Sequence, residues 1–225
     1  IVETTIWKTK DAEKNYLTKV FCNKKLSKED CQKNIKNIKD YGIDVESLAD
    51  KNIKNIDLNK VTYTTTNAFP ATGEVKSNVS GFQSDFIDTS QPELVPLLNS
   101  IDKEVLNYTK TLSLKGPLTC RNVWANINDY KDTNKFHHHP GAVIAGVYYI
   151  DVPRYSGDIE FMNPAKNVIS YDWNEVIEPN TYTCLYYDMP SVTGRLYLFP
   201  GWLEHAVLPN MSHGKRYSLS FNYSL

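Results

Sequence analysis

The sequence lacks most of the features that would restrict its function at once. Four cysteines, Cys22, Cys31, Cys120 and Cys184, are scattered with no C-x-x-C pair. That excludes a disulfide scaffold or thiolate zinc knuckle and fits reduced thiols in a cytoplasm-like compartment. There is no excess of charge of either sign, 25 Lys and Arg standing against 26 Asp and Glu. A general binder of nucleic acid or of anionic membranes needs a basic surplus, so both are disfavoured as partners. No apolar run approaches the length of a membrane span, and the first residues lack the apolar core of a signal peptide. The expectation is a cytoplasmic protein, and the sequons at Asn78, Asn107 and Asn210 are then chance matches. Histidine is scarce too: five in 225 residues, none before position 137.

What is present is enough to build a core. With 41% hydrophobic, 23% charged and 12% aromatic residues, the chain is not a disordered one. A chain of this length buries roughly 70% of its unfolded surface without needing disulfides or a structural metal. The first half is rich in Lys and Asn and carries helical signals. Ser27-Lys28-Glu29-Asp30 resembles a capping box, Cys31, Ile35 and Ile38 follow at helical spacing, and Gly42 is a left-handed stop. Leu17 to Leu26 reads as a strand or extended lead-in. A second helix is predicted over about Pro92 to Tyr108, with Leu94, Leu98, Ile101, Val105 and Tyr108 along one stripe. Asn52 to Ser84 is polar and Thr-rich and reads as loops and short strands.

After about residue 117 short Val/Ile/Tyr/Phe runs recur between Pro, Gly, Asn and Asp, at 120–128, 142–152, 158–162, 181–187, 194–199 and 216–223. This is the pattern of an antiparallel sandwich or barrel, with no helix-length segment between the strands. A single domain is expected over 1–225, with a helical support over about 1–116 and a β core over about 117–225.

Within that core one group of residues has chemical character. If the run from Asn134 is extended, alternate residues share a face, so His137 and His139 point together and His138 away. A same-face His-x-His pair is half of a metal site, although three adjacent histidines can equally be a solvated loop. His205 follows a strand and the Pro200-Gly201 turn, where side chains reach a barrel mouth. Arg216 opens a strand that places Arg216, Ser218, Ser220 and Asn222 on one face. An arginine inside an apolar strand needs an anionic partner, and its planar fork suits a carboxylate, to which Ser218 adds a hydroxyl.

These stretches, together with Ser77-Asn78 to Gln83-Ser84, Trp124-Ala125-Asn126, Gly146 to Ile150, Ser156 to Pro164 and Leu198 to His205, resemble the iron(II)/2-oxoglutarate-dependent oxygenases. The similarity is to their prolyl-hydroxylase-like branch, specifically the group common in marine bacteria and phages. It covers roughly residues 77 to 225, with a weaker likeness over Phe21 to Cys31. The resemblance implies a mainly β (α+β) double-stranded β-helix, or jelly roll, with N-terminal helices packed on its major sheet. It also implies Fe(II) and 2-oxoglutarate as cofactors.

His137 and His205 fall on the family's histidine positions, and His139 falls where the family carries its carboxylate. Either His139 is a third imidazole ligand, or a coordination position is left open that could take an extra anion, as in the halogenating relatives. Arg216 and Ser218 fall where the family binds the distal carboxylate of 2-oxoglutarate. Tyr149 is the choice for a further donor, with Tyr148 as the alternative if a bulge intervenes. Asn126 and Asn222 are candidate pocket residues. Trp124 and Trp202 read as packing, Asp158, Glu160 and Asn163 as a solvated turn, and His213 as an exposed turn residue.

The implied reaction oxidises a substrate C–H bond with O2 and releases succinate and CO2. The substrate is a peptide side chain or a small metabolite, chosen by loops around 45–85 and 164–182. Two other readings stand beside it: a three-His, cupin-like dioxygenase independent of 2-oxoglutarate, and a non-catalytic jelly-roll binding module.

Overall fold

The computed structural model describes residues 1–5, 76–173, 178–180 and 182–225. The strand expected over Leu17 to Leu26, the helix over Ser27 to Gly42, the Thr62 to Thr66 segment and the Phe21 to Cys31 likeness lie outside the described residues.

The β-rich half forms two antiparallel sheets. The larger runs β1 (Val2–Thr5), β9 (Arg195–Pro200), β6 (Ile144–Asp151), β11 (Arg216–Ser224), β4 (Thr119–Asn128), β3 (Phe82–Gln83). The smaller runs β2 (Asn78–Val79), β5 (Thr133–His137), β10 (His205–Val207), β7 (Ile159–Met162), β8 (Tyr186–Met189). Each long strand alternates between two apolar environments, which is why its sequence reads as a nearly continuous hydrophobic run. On β6, Ala145, Val147 and Tyr149 point between the sheets, where they meet Ile159, Phe161, Tyr197 and Phe199. Ile144, Tyr148 and Ile150 point the other way, onto α1 (Val95–Thr111).

Helix α1 forms because Leu97, Leu98, Ile101, Val105, Tyr108 and Thr109 recur at helical spacing and are buried, with Pro96 tolerated in the first turn. It starts at Val95 rather than Pro92 because residues 91–94 form turns closed by Leu94 N–H to Gln91 O, 2.9 Å. Full burial of Leu97 and Ile101 is worth about 2 kcal/mol each, before cavity terms. The major sheet is thus lined with side chains on both faces. A short helix not foreseen from the pattern, α2 (Lys166–Asp172), follows β7; only Ile169 of it is buried, which left too little periodicity to read. Among the described residues no helix is long and apolar enough to cross a membrane.

Two bulges decide which side chains enter the space between the sheets. On β5, His137 pairs with His205 and Asn134 with Val207, so Lys135 and Phe136 together face the single residue Ala206. The extra residue turns both Asn134 and His137 inward; in a regular ladder only one of them could face that side. On β6, Ser218 pairs with Tyr149 and Tyr217 with Asp151, leaving Ile150 as the extra residue.

Candidate metal and cosubstrate site

A cavity of about 460 Å³ opens between the sheets and runs from the three histidines to Arg216. His137 ends β5, His205 opens β10 directly opposite it, and His139 stands on the turn beyond β5. That turn is tied to the 200–203 turn by His139 N–H to Gly201 O, 2.8 Å, and Gly201 N–H to Val143 O, 3.1 Å. The approach is so close that a Cβ on Gly201 would lie 2.2 Å from Ala142 O. A glycine in the Pro-Gly turn therefore brings His139 beside His205.

The imidazoles stand with ring centroids 4.3 to 5.3 Å apart, and their candidate ligand atoms lie within 4.8 Å of one another. Among the described residues this is the one such group of His, Cys, Asp or Glu. Each Nδ1 is engaged away from the group. His137 Nδ1 meets Lys135 O at 2.7 Å, His205 Nδ1 meets Leu203 O at 2.9 Å, and His139 Nδ1 meets Asn222 Oδ1 at 2.6 Å. An oxygen acceptor at Nδ1 holds the proton there and leaves Nε2 as the lone-pair donor, the arrangement that prepares imidazole for a metal. His139 Nε2 is buried without a protein partner.

Burial lowers all three histidine pKa values, that of His139 to about 4 and that of His205 to about 3. The neutral, metal-binding form therefore prevails at neutral pH. Trp124 stacks on His139 at 5.7 Å and Phe199 packs on His205 at 4.6 Å, fixing both rings.

The other end of the cavity is built around Arg216, 1% exposed. Its Nη1 donates to Ser156 O, to Gly157 O at 3.2 Å and to Leu208 O at 3.2 Å, whereas Nη2 is buried with no partner. No carboxylate of the described residues forms an ion pair with it. Tyr149 OH is likewise buried and unpartnered, and burial raises its pKa to about 12, so it stays a donor. Pairing across the sheet puts Tyr149, Ser218 and Asn126 in one row beside Arg216. A guanidinium face, a phenol and a hydroxyl around one space form a carboxylate site. Among the described residues, the cavity lining contains no Asp or Glu.

The structure thus brings His137, His139, His205, Arg216, Ser218, Tyr149, Asn126 and Asn222 to one cavity. Tyr148 is not among them: it lies on the opposite face of β6, packed with α1. A bulge does intervene in β6, but beyond Tyr149, so Tyr149 keeps the inward direction. The pairing with Ser218 is what sets its face. His138 is exposed at the mouth, Trp202 is 63% exposed away from the cavity, and His213 is exposed and stacks on Tyr130. Gln83, Asn128 and Ser220 also line the cavity; Ser220 shares the β11 face of Arg216 and Ser218, whereas Gln83 and Asn128 arrive by pairing, with Asn126 and Arg216 respectively, which needs the register to be known.

Residues 122–222 match the family model described as "Putative 2OG-Fe(II) oxygenase". That stretch runs from β4 to β11, so the β core that carries the cavity is similar to the 2OG-Fe(II) oxygenases. Among solved structures, the chain is similar to a Pseudomonas putida prolyl-4-hydroxylase, with 17% identity, coverage of 64% of this chain and 72% of that one, and a TM-score of 0.45. It is also similar to the viral collagen prolyl hydroxylase of Paramecium bursaria chlorella virus-1, in complex with 2-oxoglutarate, with 14% identity, 65% and 80% coverage, and a TM-score of 0.44. HygX of Streptomyces hygroscopicus, with nickel and 2-oxoglutarate bound, matches at 11% identity, 63% and 71% coverage, and a TM-score of 0.46. No curated protein matches the chain.

Proposed function

We propose that this protein is a 2OG-Fe(II) oxygenase that holds Fe(II) on His137, His139 and His205 and binds the distal carboxylate of 2-oxoglutarate with Arg216, Ser218 and Tyr149. The observation that carries the assignment is the set of three buried, unpartnered polar atoms on residues lining one cavity: His139 Nε2, Tyr149 OH and Arg216 Nη2. Leaving such atoms unpaired costs about 1–3 kcal/mol each, and a metal at one end with a carboxylate at the other satisfies all three.

The donor set fits the metal. Three neutral imidazoles contribute no charge, so a ferrous ion keeps its full +2, and the dianionic cosubstrate supplies the balance that a protein carboxylate gives elsewhere in the family. Bound there, Fe(II) with 2-oxoglutarate would supply the oxidising chemistry, in which the substrate C–H, O2 and the cosubstrate yield C–OH, succinate and CO2, one oxygen atom going to each of substrate and succinate. The chain supplies position. Asn222 and the carbonyls of Lys135 and Leu203 fix the imidazole tautomers, Arg216 fixes the cosubstrate's far end, and Phe161 and Phe199 keep water from the buried side of His205. The mouth, bordered by Trp124, Phe86 and His138, is where a peptide side chain or small metabolite presents its C–H bond.

Anaerobic titration of the protein with Fe(II) and then 2-oxoglutarate tests the assignment: a visible charge-transfer band is expected. Intact iron binding with no band on adding 2-oxoglutarate would sink it.

A further inference from the structure

We infer that Ser191, on the β8–β9 connection and outside the cavity lining, is a positioning residue for the cosubstrate, acting through the backbone that holds Arg216. The inference rests on the assignment of Arg216 to the distal carboxylate.

Arg216 Nη1 sits among three carbonyl oxygens, those of Ser156, Gly157 and Leu208. These oxygens set the rotation of the guanidinium plane and hence where the free Nη2 points. They belong to two segments that meet closely. Leu208 N–H donates to Asp158 O at 2.8 Å, and Gly157 has φ +81°, with a would-be Cβ only 2.2 Å from Leu208 O. Only glycine permits both that conformation and that approach.

The 156–158 turn would be held on one side only were it not for Ser191. Ser191 Oγ donates to Gly157 O at 2.6 Å, its N–H donates to Asp158 Oδ1 at 3.3 Å, and its hydroxyl lies 3.1 Å from Ser156 Oγ. Gly157 O thus accepts from Ser191 on one side and from Arg216 on the other. Loss of the Ser191 hydroxyl frees the turn, and with it the acceptors that aim Nη2. Among the described residues no hydrogen bond joins residues 156–158 directly to His137, His139 or His205, and the β7–β10 ladder that pairs Phe161 with His205 does not involve Ser191, so the metal end keeps its own support.

The test compares two ligands in the anaerobic Fe(II)-loaded full chain: 2-oxoglutarate, and 2-oxopentanoate, which has the same chain length without the distal carboxylate. Ser191→Ala is expected to weaken 2-oxoglutarate binding about 3- to 10-fold, the loss of one hydrogen bond. Binding of 2-oxopentanoate and of iron should be unchanged. In turnover, the KM for 2-oxoglutarate should rise while kcat at saturation stays within about twofold. Ser191→Thr, which keeps the hydroxyl, should restore the wild-type constant. If Ser191→Ala binds 2-oxoglutarate as tightly as wild type, or loses both ligands equally, the positioning role is overturned. Wild-type protein that binds iron but not 2-oxoglutarate overturns the underlying assignment instead.

Discussion

The two ends of the cavity solve the same problem with opposite charge. At the histidine end each ring engages its Nδ1 with an oxygen acceptor, and His139 Nε2 is buried and free. At the arginine end one guanidinium nitrogen is engaged by carbonyls and the other is kept free. The histidines must be neutral to donate a lone pair, and burial makes them so. The arginine must stay charged to attract a carboxylate; burial opposes that, lowering its pKa, while Tyr149, Asp132 and Asp158 act the other way. The same apolar shell therefore helps one end and strains the other. What rescues the strained end is a cradle of carbonyls that accepts hydrogen bonds without neutralising the charge.

The sharpest way to break this comparison is to remove one member from each end. His205→Ala should lower Fe(II) affinity by more than about 100-fold, beyond what loss of an outer partner costs, with iron stoichiometry as the readout. Arg216→Met should leave iron binding intact and weaken 2-oxoglutarate by at least about 30-fold, equivalent to 2 kcal/mol or more for a buried charge pair. If Arg216→Met released iron, the ends would not be independent. Asn222→Ala should cost about 10-fold in iron affinity, because His139 loses the acceptor that fixes its tautomer; calorimetry with Fe(II) or Mn(II) measures it.

The smallest effect concerns acid. The folded pKa values of the three histidines lie below the unfolded value of about 6.5, so below that pH the unfolded chain binds more protons than the folded one. Stability of the metal-free protein should be level above about pH 7 and fall as pH drops from about 6.5 towards 4. Thermal melts across that window check the sign, and replacing His139 and His205 should flatten the profile.

Much of the chemistry was legible because it rests on side chains whose cost of burial demands an explanation. Arg216 inside an apolar strand announced an anion, and the late cluster of histidines announced a metal. The strands β4, β6, β9 and β11 were legible because they are long and apolar. Less legible was what depends on backbone: β5 and β10 are short and polar and show little alternation, and α2 buries one residue. The carbonyls around Arg216 and the bond from Ser191 to Gly157 have no residue signature, since any amino acid offers a carbonyl. Tyr148 and Tyr149 differ only in which face they take, and that is decided by register.

The bulge on β5 has a consequence for how this site can be lost. The strand holds one residue more than its partner β10 requires, and that surplus directs His137 inward. Deleting Lys135 or Phe136 would turn the strand by half a pleat, presenting a different side chain to the cavity while leaving most of both sheets intact. The inward direction of His137 hangs on a miscount of one. A single in-frame codon deletion, which changes none of the three histidines, would suffice to take the proposed metal site apart while both sheets stand.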